Sequence, residues 1–167
     1  MLESQLQVVQ QAKQFLADIK QPEYSTVVEP HFSGSAGVHM RHVLDHYRAL
    51  LSGVEHGSVD YNKRTRFSDL ENCPQTAFKA WEEIELQLSA LCNMPMDTPL
   101  QIVSEVSVTQ TQFEQVPSTL ARELVFVSSH AIHHFSLLAV MRSLQGQSIP
   151  AGFGIAPATA TFQRQQA

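Results

Sequence analysis

The stretch from Pro117 to Gly146 constrains this chain more than any other. Within it Leu120, Leu124, Val127, Ala131, Leu138 and Met141 recur at steps of three, four and seven residues, the rhythm of one buried stripe on an α-helix. Pro117-Ser118-Thr119 supplies a start signal and Gly146 a C-terminal stop. A helix with such a stripe needs other elements to cover it, so the rest of the chain must pack around it. One polar residue interrupts the stripe. His134 fills the slot between Ala131 and Leu138, so its imidazole is expected to point inward, where its nitrogens need partners. His130 stands four residues earlier, one turn away and rotated by about 40°. Two imidazoles in that relation can grip one metal ion, provided a third ligand arrives from another segment.

Candidates for it lie nearer the N-terminus. Leu2, Leu6, Val9, Ala12, Phe15, Leu16 and Ile19 keep helical spacing until Pro22 stops the pattern. Gln21 to Gly34, with two prolines, reads as a connection. Ser35 is placed to cap a second helix running to about Val54, with Met40, Val43, Tyr47, Leu50 and Val54 on its apolar face. His39, His42 and His46 share a neighbouring sector of that helix, since offsets of three and seven residues rotate them by only about 60° and 20°. His39 and His46 lie closest to the apolar face and His42 toward its edge. A single histidine there is more often hydrogen-bonded or solvated than a ligand; three together point to a site.

Glu55 to Asn72 is a long polar connection containing Tyr61 and the basic residues Lys63, Arg64 and Arg66. Arg64 suits an anionic substrate group, although a plain surface charge is the commoner role. Pro74 opens a third helix, whose stripe Ala77, Phe78, Trp81, Ile84, Leu88 and Leu91 ends near Cys92. Leu100, Ile102, Val106 and Val108 then alternate with Gln101, Glu105, Ser107 and Thr109, a period of two that predicts a short β-hairpin before the last helix. Gln147 to Ala167 reads as an irregular tail that Phe153, Ile155 and Phe162 pin back.

With 167 residues the chain suits a single domain, residues 1–167. A formal net charge of -5 and the lack of a Lys/Arg cluster argue against a nucleic-acid partner. The two cysteines, Cys73 and Cys92, are far apart and form no C-x-x-C pattern, which fits a reducing compartment. No apolar run approaches the roughly 20 residues of a membrane span, and no basic, apolar leader follows Met1. A cytoplasmic protein without a membrane partner is expected.

Two motifs carry a resemblance. Met40-Arg41-His42-Val43-Leu44-Asp45-His46 has an arginine five residues before a histidine, and His130-Ala131-Ile132-His133-His134 places two histidines four apart. Together they resemble the DinB/YfiT-like family of metal-binding four-helix bundles, over most of the chain up to Gly146. The resemblance implies an all-α fold, a four-helix bundle with up-down-down-up connectivity, here with the small hairpin added. It implies His46, His130 and His134 as metal ligands, and a homodimer. His39 and His42 are extra to the pattern, so His42 is either an outer partner of the ligands or a substitute for one of them. His39, His133, Tyr61 and Arg64 complete the residues expected around the ion or a substrate. Three neutral imidazoles suit Zn²⁺ or Ni²⁺ and leave a coordination position open. The function implied is a metal-dependent enzyme of the hydrolase or thiol-dependent transferase kind acting on a small molecule; the alternative is a non-catalytic metal- or ligand-binding bundle. No H-E-x-x-H motif and no nucleophile elbow assigns a catalytic residue.

Overall fold

The computed structural model describes residues 1–63 and 65–166. Four long helices supply most of the core: α1 (Leu2–Asp18), α3 (Ala36–Val54), α4 (Pro74–Ala90) and α5 (Leu120–Leu144), with a short α2 (Gln21–Ser25) and a terminal α6 (Pro157–Gln166). α1 packs on α4 and α5, and α3 packs on α4 and α5. Trp81, Tyr47, Phe135, Met40, Leu44 and Leu124 sit fully buried where they meet. Sequence chemistry sets the ends. The Ser35 hydroxyl accepts from the Val38 N–H at the start of α3, and the Thr119 hydroxyl accepts from the Arg122 N–H at the start of α5. Pro74 occupies the first turn of α4, where a missing N–H costs nothing.

The expectation of an all-α, up-down-down-up four-helix bundle is corrected by a three-stranded mixed sheet. β1 (Ser58–Asp60), β2 (Pro99–Glu105) and β3 (Phe113–Thr119) lie in the order β1-β2-β3. β1 runs parallel to β2 with Val59 opposite Ile102, and β3 runs antiparallel to β2 from Pro99 opposite Thr119 to Glu105 opposite Phe113. The physical reason is the two-residue period of β2: Leu100 and Ile102 turn into the core beside Val59, while Gln101 and Glu105 stay outside. The connection from Glu55 to Asn72 is thus partly strand. Pro117-Ser118-Thr119 belongs to β3, so α5 begins directly where the strand ends.

Three smaller differences have local causes. Pro22 lies in the first turn of α2, where proline is compatible with a helix, and does not merely end α1. The tail forms α6, and ahead of it Phe153 stacks between Phe15 of α1 and Phe135 of α5. Finally, α5 is long and apolar enough in composition to cross a membrane; in this fold its stripe Leu120, Leu124, Val127, Ala131, Leu138 and Met141 is buried in the core.

Candidate metal centre

α3 and α5 pack side by side, and their histidine-bearing faces meet. His42 and His46 of α3 and His130 of α5 bring one nitrogen each to within 4.8 Å of one another. The His42 and His130 Nε2 atoms are 3.0 Å apart. The His46 and His130 ring centroids are separated by 4.2 Å. His46 Nδ1 lies 2.9 Å from the carbonyl oxygen of His42. A carbonyl only accepts, so Nδ1 carries the proton and the lone pair stays on Nε2, the tautomer a ligating imidazole needs. Two nitrogens bound tetrahedrally to one Zn²⁺ sit about 3.3 Å apart, given Zn–N bonds near 2.0–2.1 Å. The His42–His130 spacing is within a few tenths of an ångström of that, and the donor set fits a borderline divalent ion.

His134 belongs to the same cluster but faces another partner. Its ring lies 4.6 Å from that of His130 and 4.8 Å from that of His42, while its Nδ1 is 2.9 Å from His39 Nδ1. Burial, reinforced by His130, His39, His133 and His46, pushes the His134 pKa down to about 3. His39 is shifted down as well, by burial first and His133 second. Both rings therefore stay neutral near pH 7. His133 is exposed, with its ring 5.3 Å from that of His134.

An aromatic wall closes one side of the histidines. Tyr61 stacks on His46 at 5.4 Å, Phe126 stacks on His130 at 5.9 Å, and the two aromatics meet at 5.1 Å. The Tyr61 hydroxyl donates to Glu123 Oε2 at 2.7 Å, and the Ser118 hydroxyl donates to Glu123 Oε1 at 2.5 Å. Glu123 is only 2% exposed, and burial, reinforced by the Glu123 carboxylate, pushes the Tyr61 pKa upward. Behind this wall a cavity of about 230 Å³ is lined by Tyr61, Phe126, Arg122, Glu123, Ser118 and Ile102 among others.

Arg41 holds the connection that delivers Tyr61. Its guanidinium bonds Asp45 and Glu71, each at 2.9 Å, and Asp45 also accepts from the Thr65 N–H at 3.1 Å. The connection approaches α3 so closely at Gly37 that a Cβ there would lie 1.9 Å from the Glu71 carbonyl oxygen.

The sequence-derived candidates thus divide. His46 and His130 lie in the tight nitrogen group together with His42, whereas His134 sits at its edge against His39. Tyr61 borders the group, His133 lies outside it, and Arg64 falls outside the described residues. Glu123 and Phe126 carry no motif of their own in the sequence, although both lie on the α5 face that leads to His130.

No family model matches the chain. FK506-binding protein 5 from Rhizopus delemar is similar to it, at 30% identity over 108 residues, which is 65% of this chain and 28% of that protein. The match therefore spans less than a third of that relative's length. The likeness gives no support to an all-α bundle and does not bear on the DinB/YfiT-like resemblance.

Proposed function

We propose that the protein binds a divalent transition-metal ion, Zn²⁺ or Ni²⁺, between α3 and α5, with His42, His46 and His130 as its nitrogen ligands. The observation that carries this reading is the convergence of three imidazole nitrogens from two helices within 4.8 Å. The fixed tautomer of His46 supports it, because ligating histidines typically donate their other N–H to a carbonyl or carboxylate. The DinB/YfiT-like resemblance supports an ion in the same place with His134 instead of His42, and the two ligand sets share His46 and His130.

Bound there, such an ion supplies Lewis acidity and lowers the pKa of a coordinated water or thiol. The chain's own residues do the rest. His46 is oriented by the His42 carbonyl and by the Tyr61 ring, and Tyr61 is held by Glu123. The adjoining cavity joins apolar Ile102 and Phe126 to polar Arg122, Ser118 and Glu123, a lining suited to a small molecule with one apolar and one polar end. On this basis the ion serves chemistry on a small molecule, of the hydrolase or thiol-dependent transferase kind. A purely structural ion is the second reading, favoured by the burial of His46.

Elemental analysis of protein purified without a histidine tag tests the metal. About one firmly held equivalent is expected, and its loss in His46→Ala and His130→Ala. His42→Ala set beside His134→Ala separates the two ligand sets, since the variant lacking a true ligand loses the ion and the other keeps it. Full retention in both His46→Ala and His130→Ala would remove the reading. Turnover by the metal-loaded protein against a panel of small esters, amides and thiol acceptors separates catalytic from structural use.

A further inference from the structure

The three-histidine group leaves His39 and His134 unaccounted for, and their nitrogen–nitrogen contact repeats the one between His42 and His130. Two nitrogen–nitrogen contacts cross between α3 and α5: His42 Nε2 to His130 Nε2 at 3.0 Å, and His39 Nδ1 to His134 Nδ1 at 2.9 Å. Each joins one histidine of α3 to one of α5, like two rungs of a ladder. Moving from His42 to His39 on one helix, and from His130 to His134 on the other, climbs about one turn on each.

Five imidazoles in this arrangement do not suit a single ion. His39 and His46 are seven residues apart, a rise of about 10.5 Å along the helix. Two nitrogens on one Zn²⁺ lie at most about 4.2 Å apart. Both rings would have to lean several ångströms toward each other along α3. Instead His39 engages His134 and the edge of Phe32, while His46 engages His130 and Tyr61.

We infer that the cluster is a two-ion centre, in which a second divalent ion binds between the Nδ1 atoms of His39 and His134, next to the ion on His42, His46 and His130. This rests on the reading given above for the first ion. The proton balance is simple. In the ion-free pair one Nδ1 donates its hydrogen to the other. When both Nδ1 atoms bind the ion, that hydrogen moves to Nε2 of the same ring, and both imidazoles stay neutral. The exposed His133, whose ring lies 5.3 Å from that of His134, is placed at the outer edge of this second position. With two firm protein ligands against three, the second ion should bind more weakly and exchange faster than the first.

The test is equilibrium dialysis of the full chain, stripped of metal, against buffered Zn²⁺ alone. Bound metal is counted by mass spectrometry, and folding is checked by circular dichroism. The wild type should bind two equivalents, one at least tenfold more weakly than the other. His39→Ala should bind one equivalent with the tight affinity unchanged, and His39→Gln gives the same readout should the alanine variant fold poorly. His46→Ala should weaken the tight equivalent. One equivalent in the wild type, with loss in His46→Ala, would overturn the second position and leave the first intact. Two equivalents persisting in both His39 variants would also overturn it, since the extra ion would sit elsewhere. Complete loss of metal in the His39 variants would overturn it as well, by making His39 part of a single site. No binding by the wild type would end both readings.

Discussion

Protonation of the half-buried His134 is expected to work against the packing of the metal-free protein in acid. The free imidazole titrates near 6.5, and in the folded chain burial and the surrounding histidines hold His134 at about 3. Between those values the unfolded chain binds the proton and the folded chain does not, so acid favours unfolding. The contribution is fully present above about pH 6.5 and is lost as pH falls toward about 3. The melting temperature of metal-free protein should therefore decline across that window, and His134→Asn should flatten the decline. Parallel pH profiles for the two proteins would remove His134 as the cause. Metal affinity should fall in the upper part of the same window, as protons begin to compete for ligand nitrogens. At this scale the histidines were legible from sequence because helical spacing alone gathers them on two faces. Glu123 was not, because its hydrogen-bond partner Tyr61 lies 62 residues away and reaches it only through the fold. Nor could spacing separate His42 from His134 as the third nitrogen, since that depends on how α3 and α5 slide past each other.

Among the elements, the connection between β1 and α4 is tied to α3 by two features that can be broken separately. Gly37→Ala would drive a Cβ into the Glu71 carbonyl, and neither backbone can yield cheaply. A loss of about 1–3 kcal/mol, typical of overpacking, is expected in urea denaturation. An unchanged midpoint would mean that the turn at Glu71 moves freely. Arg41→Ala leaves the buried Asp45 without its cation, and about 3–5 kcal/mol is typical of such a break. Tyr61→Phe is milder: it keeps the ring on His46 but removes the bond to Glu123, so metal content should hold while affinity shifts by about 10-fold or less. Loss of all metal in Tyr61→Phe would make the hydroxyl essential to the site. The four long helices were readable because each carries a stripe over several turns. β1 is only three residues long and α2 only five, too short to establish a period, and both are defined by what they pack against. The two-residue alternation of Leu100 and Ile102 was visible, but its parallel partner in β1 was not, because a parallel pairing leaves no turn signal between the strands.

For the whole molecule, an ion that binds only the folded chain stabilises it by mass action, about 2.7 kcal/mol at a free concentration one hundred times Kd. Added Zn²⁺ should raise the melting temperature of the wild type, and His46→Ala should show little of that rise. The homodimer implied by the family resemblance predicts a dimer mass in light scattering that persists on dilution, and a monomer mass at every concentration would exclude it. The junction of β3 and α5 has a further consequence. Thr119 is the last residue of the strand and Leu120 the first of the helix, with no linker between them. The rotational phase of α5 is therefore geared to the pairing register of the sheet. One residue inserted between Thr119 and Leu120 would turn the whole helix by about 100° relative to β3 and swing His130 and His134 away from α3. The same insertion in the exposed turn at residues 106–112 changes only loop length and should leave metal binding alone. The hairpin then acts as a timing gear for the histidines, setting the angle at which they meet their partners from some ten residues away.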